Sequence, residues 1–162
     1  MSRRRYRECG TRGRMHLKDV MKREVDTVSP DTPLREAAHK LNARGVPVLP
    51  VCEGATMVGV LTARDITVRA TAQGRDPRVT QVREVMTAPA IYGREDQDLD
   101  EAADLMERWR LHRLPVLDQQ MHLVGMVSLP DLWEKFVTAR AAPQGHGTHQ
   151  TRRILGGRRS AR

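Results

Sequence analysis

Two hydroxyl–carboxylate pairs at matching spacing carry the clearest chemistry in this chain: Thr62-x-x-Asp65 and Ser128-x-x-Asp131. Each follows an apolar run containing a glycine, Val58-Gly59-Val60-Leu61 or Val124-Gly125-Met126-Val127, and each stands where a helix should begin. A helix N-terminus offers unpaired backbone N–H groups and a positive dipole end to an anion. The hydroxyl adds a donor, and an ionised Asp can accept bonds from two neighbouring ribose hydroxyls. Gly59 and Gly125, lacking side chains, would let a flat base lie close to the strand. The same spacing is also that of a capping box, in which hydroxyl and acid close the first helical turn on themselves. Its occurrence twice, after matching strands, strengthens the ligand reading beside the structural one.

The elements that must position these pairs are themselves duplicated. Val20-Met21 recurs as Val85-Met86, Leu34-x-x-Ala37-Ala38-x-x-Leu41 as Leu99-x-x-Ala102-Ala103-x-x-Met106, and Pro50-Val51 as Pro115-Val116, all offset by 65 residues. The Thr/Ser-x-x-Asp segments recur at an offset of 66, after one extra residue in the second turn. A long period seen only twice argues against a solenoid and for two half-domains that close one core. Within each copy the pattern predicts an extended piece (25–28; 90–92), then an amphipathic helix with apolar spacing i, i+3, i+4, i+7. Thr32 is the expected N-cap of the first helix, with Pro33 at its first helical position. Leu105 and Trp109 widen the stripe in the second copy. Two short strands follow as a hairpin (46–52 with 57–61; 114–117 with 123–127), and a closing helix starts at Thr62 or Ser128. The fold class expected is therefore α+β, a tandem repeat of two β-α-β-β-α units packed with pseudo-two-fold symmetry. Gly74-Arg75-Asp76-Pro77-Arg78 carries turn chemistry and joins the copies. The expected division is a basic arm at 1–15, repeats at 16–79 and 80–138, and a second arm at 139–162.

The chain's 162 residues suit one domain, and with aromatics at only 3% its core must be built from Val, Leu, Met and Ala. No apolar run approaches transmembrane length, and the basic N-terminus lacks a signal peptide's apolar stretch. Cys9 and Cys52 show neither metal spacing nor a disulfide framework, so a cytoplasmic, reduced protein is expected. The formal charge of +8 is unevenly spread: residues 1–14 carry +5 and residues 139–162 carry +6, leaving −3 for the middle. Both basic ends are rich in Gly, Ser, Thr and His without apolar periodicity and read as disordered arms.

The repeated Val-Met, the Ala-Ala helix, x-Pro-Val, and Val-Gly-x-[Val/Leu]-[Thr/Ser]-x-x-Asp together resemble a tandem pair of CBS domains, a Bateman module, from about residue 17 to 137. Gly-Arg-Asp-Pro between the copies is similar to stand-alone bacterial pairs. The resemblance implies a regulatory fold, often a homodimer shaped as a flat disc. It also implies clefts for adenosyl ligands: AMP, ADP, ATP, S-adenosylmethionine, NAD(H) or cyclic dinucleotides. In such pairs a cleft combines the Thr/Ser-x-x-Asp of one repeat with the opening strand and x-Pro-Val strand of the other. Carried over, one cleft takes Thr62, Arg64, Asp65, Ile91, His112 and Arg113, and the other takes Asp26, Val46, Pro47, Ser128 and Asp131. His112-Arg113 resembles the pair that approaches phosphate in kinase-regulating members of the family; without that resemblance it reads as a solvated strand edge. Arg64, His112 and Arg113 make phosphorylated adenosine expected in the Asp65 cleft. Pro130, Pro47 and Val48 at the matching positions leave the Asp131 cleft without a cation.

Other candidates are slighter. His146-x-x-His149 lacks a third ligand, so no metal site is expected; Cys52 reads as core. Trp109, Trp133 and Phe136 read as core or dimer contact. No phosphate loop, nucleophile elbow or H-E-x-x-H pair is present, and no catalytic constellation is expected. Two functions are therefore expected. One is a non-enzymatic sensor of an adenine nucleotide or other adenosyl ligand. The alternative is an adaptor whose twelve arm arginines hold nucleic acid or an acidic protein by salt-sensitive contacts. A regulatory fragment cut from an enzyme is disfavoured by ends that look terminal.

Overall fold

The computed structural model describes residues 15–141. Cys9, His146, His149 and nearly all of both arms lie outside the described residues, as does the side chain of Phe136. The first copy supplies α1 (Leu34–Arg44), β1 (Val48–Glu53), β2 (Thr56–Thr62) and α2 (Ala63–Arg69). The second supplies β3 (Gly93–Arg94), α3 (Leu99–Trp109), β4 (Arg113–Leu117), β5 (Leu123–Ser128) and α4 (Leu129–Ala141). β1 pairs with β2 and β4 with β5, both antiparallel, while β3 runs parallel to β4. Both hairpins slip register at corresponding places, Val51/Cys52 and Val116/Leu117. The result is the expected α+β pair of repeats.

The opening strands differ from expectation. In the first copy pairing is confined to Val28, whose N–H bonds Pro50 O at 3.0 Å and whose carbonyl accepts from Cys52 N at 2.9 Å. In the second copy it starts at Gly93, beyond 90–92. The cause is that both segments travel between repeats. Lys22 bridges to Met126 of the second copy and Thr87 to Val60 of the first, so the residues that follow cross from one sheet to the other. The start of α1 also shifts by one: Pro33 is the N-cap and makes no side-chain cap bond. The free N–H groups of Leu34 and Arg35 instead donate to Thr80 O (2.9 Å) and Pro77 O (3.0 Å), so the linker backbone caps the helix.

The two cores exchange their opening segments. Val82 and Val85, at the start of the second copy, pack with Leu34, Ala37, Leu41, Leu49, Val51 and Leu61 of the first. Leu17 and Met21, at the start of the first, pack with Leu99, Ala102, Met106, Leu114, Val116 and Val127 of the second. Burying one such aliphatic side chain contributes ~1.5–3 kcal/mol, so each repeat depends on a segment of the other. Cys52, Met57 and Leu117 form a third cluster where the hairpin ends meet. Trp109 and Trp133 stay 52% and 51% exposed, outside these cores, and only Leu105 of the wider α3 stripe packs inward.

Candidate functional site

Each Thr/Ser-x-x-Asp motif sits beside the exchanged opening segment of the opposite repeat. Gly59 and Gly125 do not leave room for a base. A β-carbon on Gly59 would lie 2.9 Å from Thr87 O and 3.0 Å from Met86 Sδ. One on Gly125 would lie 2.5 Å from Met21 Sδ and 3.0 Å from Lys22 O. The glycines admit the Val-Met segments of the opposite repeat, which corrects their expected role.

Asp65 is buried, 8% exposed, and fully engaged. Its Oδ2 accepts from Thr62 N at 2.9 Å and from the Thr62 hydroxyl, while Thr62 Oγ1 accepts from Asp65 N at 3.1 Å. This is a complete capping box at the start of α2. Its Oδ1 accepts from Thr87 Oγ1 at 3.0 Å and lies 3.5 Å from Arg69 Nη1. Arg69 also donates to Val85 O and Met86 O, both at 2.8 Å, tying α2 to the exchanged segment.

Asp131 repeats the box with Ser128. Its Oδ2 accepts from Ser128 N at 3.0 Å and from the Ser128 hydroxyl. Its Oδ1 differs, facing Lys22 Nζ at 3.2 Å. Burial pushes the Asp131 carboxyl up, but the Ser128 hydroxyl, the Lys22 ammonium and the Ser128 N–H together hold it below the usual carboxylate range. Around it lies an open cavity of about 70 Å³, lined by Lys22, Glu24, Val25, Asp26, Val46, Val48, Arg113, Met126, Ser128 and Asp131. Asp26 is held by Arg44, whose Nε is 3.3 Å from Asp26 Oδ1.

The structure thus brings together Asp26, Val46, Ser128 and Asp131, while Pro47 is exposed between Val46 and Val48 and does not line the cavity. Thr62 and Asp65 meet in the capping box. Ile91 packs against the second core, Arg64 is exposed on α2, and His112 is exposed with its carbonyl accepting from Leu129 N at 3.1 Å. Arg113 lines the Asp131 cavity, because β4 places it opposite Ser128 in the hairpin register. The expectation of a cation-free Asp131 cleft therefore does not hold: Lys22 and Arg113 both line it. Sequence reasoning missed Lys22, whose signal was its place directly after Val20-Met21, matching Thr87 after Val85-Met86. Chemically, the cavity offers a carboxylate to ligand hydroxyls, cations to an anion, and valine and methionine surface to an apolar ring. Among the described residues, no group of three His, Cys, Asp or Glu could hold a metal ion, and no helix is long and apolar enough to cross a membrane.

Comparison with known proteins fits this geometry. The family model for the CBS domain matches twice, over residues 17–70 and 82–132. The CBS domain-containing protein YhcV of Bacillus subtilis is 43% identical over 116 residues, covering 72% of this chain and 81% of that one. The structure superposes on hypoxic response protein I, solved with two coordinated zinc ions, with a TM-score of 0.69 and 27% identity over 75% of this chain and 98% of that one. It also superposes on the CBS domain pair of MJ0100, solved with 5′-methylthioadenosine and S-adenosylmethionine, with a TM-score of 0.66 and 28% identity over 78% of this chain and 98% of that one. Inosine-5′-monophosphate dehydrogenases of Thermoplasma acidophilum and Methanocaldococcus jannaschii also match, but the chain spans only 25% of their length. With both repeats matched and their opening segments exchanged into one paired core, this chain belongs to the CBS-domain family, as a tandem CBS pair.

Proposed function

We propose that this chain is a non-catalytic regulatory module that binds an adenosine-containing ligand of the AMP, ATP, NAD or S-adenosylmethionine type, and that the Asp131 cleft is the principal site. The observation that carries this is the joint lining of one open cavity by Lys22, Asp26, Arg113, Ser128 and Asp131. The MJ0100 pair, with its two adenosyl ligands, supports the ligand class. At about 70 Å³ the cavity is smaller than a nucleoside site, so only part of a ligand is enclosed and the rest lies in its open mouth. Asp65, with both oxygens already taken, is the secondary candidate.

Regulation follows from where the walls come from. Lys22, Glu24, Val25, Asp26, Val46 and Val48 belong to the first repeat, while Arg113, Met126, Ser128 and Asp131 belong to the second. A ligand that bridges them favours one relative placement of the repeats, and coupling to a partner requires that differential. A second copy of the chain is the expected assembly partner, through the helix surface that leaves Trp109 and Val137 exposed. Sedimentation equilibrium at micromolar concentration checks this, with Trp109→Glu expected to shift the distribution to monomer.

Thermal melting with AMP, ATP, NADH, S-adenosylmethionine and cyclic dinucleotides at millimolar concentration tests the ligand reading. A ligand at about 100 times its Kd stabilises by ~2.7 kcal/mol, which raises Tm by roughly 5–10 °C for a chain of this size. Unmoved midpoints with all of them would overturn the reading.

A further inference from the structure

Lys22 and Thr87 hold the same place in the two repeats, each directly after Val-Met. Their backbones dock alike on the opposite repeat. Lys22 N–H and carbonyl each bond Met126 at 2.9 Å, and those of Thr87 bond Val60 at 2.9 and 3.0 Å. Their side chains reach the same atom of the motif acid: Thr87 Oγ1 is 3.0 Å from Asp65 Oδ1, and Lys22 Nζ is 3.2 Å from Asp131 Oδ1. In both copies Oδ2 is spent on the helix start, so Oδ1 is the oxygen for which a ligand hydroxyl would have to compete. At Asp131 that oxygen is guarded by a movable cation instead of a neutral hydroxyl.

We infer that Lys22 selects the ligand by charge, releasing Asp131 to an adenosyl ligand that brings an anionic group, such as a phosphate, to receive the ammonium. This rests on reading the Asp131 cleft as the ligand site. The Lys22 side chain is 70% exposed, so its pair with Asp131 is a weak, solvent-screened one that a ribose hydroxyl displaces readily. What differs between ligands is where the ammonium goes next. A neutral nucleoside brings it no new acceptor beside Arg113, and with Asp26 already held by Arg44 the one other lining carboxylate is Glu24. A phosphate accepts charge-assisted bonds from both Lys22 and Arg113. S-adenosylmethionine sets a positive sulfonium next to the ribose but carries a carboxylate beyond it, so it opposes and satisfies the ammonium at once. The expected order is phosphorylated adenosine ahead of adenosine or 5′-methylthioadenosine.

The test is calorimetric titration of the full chain with AMP, adenosine and S-adenosylmethionine, comparing wild type with Lys22→Thr, which copies the other repeat, and Lys22→Arg. Lys22→Thr should weaken AMP about tenfold while adenosine stays within about threefold or tightens, and Lys22→Arg should retain the AMP preference. The ratio of AMP to adenosine affinity is the readout, because partial unfolding of a variant scales both affinities together and leaves it unchanged. An AMP:adenosine ratio equal in wild type and Lys22→Thr overturns the charge selection while the cleft reading stands. Failure of all three ligands to bind the wild type overturns the cleft reading and the selection with it.

Discussion

Gly125 and Met21, one from each repeat, occupy what would be a single side chain's space: a β-carbon on Gly125 would sit 2.5 Å from Met21 Sδ and 2.8 Å from its Cγ. The same relationship joins Gly59 to Met86, at 3.0 Å. The glycine of each motif therefore belongs to the exchange of opening segments that builds both cores. The carboxylate three residues after each motif hydroxyl is placed by that same exchange.

Gly59→Ala and Gly125→Ala should each destabilise the pair by ~1–3 kcal/mol, the usual cost of overpacking a tight contact. At Gly59 the nearest atom is the Thr87 carbonyl at 2.9 Å, which belongs to backbone and cannot swing aside. Denaturant melts measure the loss, and near-wild-type midpoints would return the glycines to the role of a base platform.

How far the sequence disclosed this arrangement depends on the periodicity of each element. The helices and hairpins were legible because Leu34, Ala37 and Leu41, or Leu99, Ala102 and Met106, mark a face at helical spacing, and all six are buried. The exchange was not legible, since nothing in Val20-Met21 says which repeat it will pack against. That single unknown moved the rest: Thr32 yielded its cap to Thr80 and Pro77 backbone, and Lys22 appeared in the Asp131 cleft. That Arg113 lines the Asp131 cavity was hidden for a related reason, because sequence position gives a strand residue no side until the hairpin register is known. Trp109 and Trp133 show a further limit: an apolar residue in helical phase need not be buried in its own chain.

Asp65 and Asp131 look interchangeable in sequence and should behave oppositely. Asp65→Ala leaves the Thr62 N–H and the Thr87 hydroxyl without their part-buried acceptor and removes the half-exposed Arg69 pair, at an expected cost of about 2 kcal/mol. Asp131→Ala removes a helix cap and a solvent-screened pair, at about 1 kcal/mol. Ligand affinity should follow the reverse order, with Asp131→Ala weakening AMP at least tenfold and Asp65→Ala altering it little among molecules that remain folded. Melting curves beside titrations separate the two effects. A larger binding loss from Asp65→Ala would move the principal site to its cleft.

Arg110 ends α3 in the left-handed region at φ 53°, where the first repeat ends α1 with Gly45 at φ 59°. Leu111 N still closes the turn onto Met106 O at 2.8 Å, as Val46 N does onto Leu41 O at 3.1 Å. The geometry is that of a helix C-terminus that favours glycine, whose missing Cβ removes the steric cost. Arg110→Gly should therefore stabilise the fold by ~0.5–1 kcal/mol despite glycine's greater freedom when unfolded. A lowered Tm would show that the Arg110 side chain contributes more than its backbone strain costs.

Acid should weaken the pair partly through Asp131. Its carboxyl lies below the ordinary value of about 3.9 in the folded chain and returns to it on unfolding. Between those two values the unfolded chain binds the proton and the folded chain does not, so stability rises with pH across that window. The contribution is complete above about pH 4 and is lost as pH falls through the folded value. Asp131→Asn cannot titrate, so its Tm should fall less steeply than wild type as the pH drops below about 4. Other low carboxyls, such as Asp76 beside Arg78, are common to both proteins and cancel in the difference. The variant keeps an oxygen to accept from Ser128 N but offers Lys22 no charge, so Lys22→Met should flatten the same window in part. Parallel Tm-against-pH curves for wild type and Asp131→Asn would show that Asp131 has the same proton affinity folded and unfolded, and that Lys22 and Ser128 do not hold its charge.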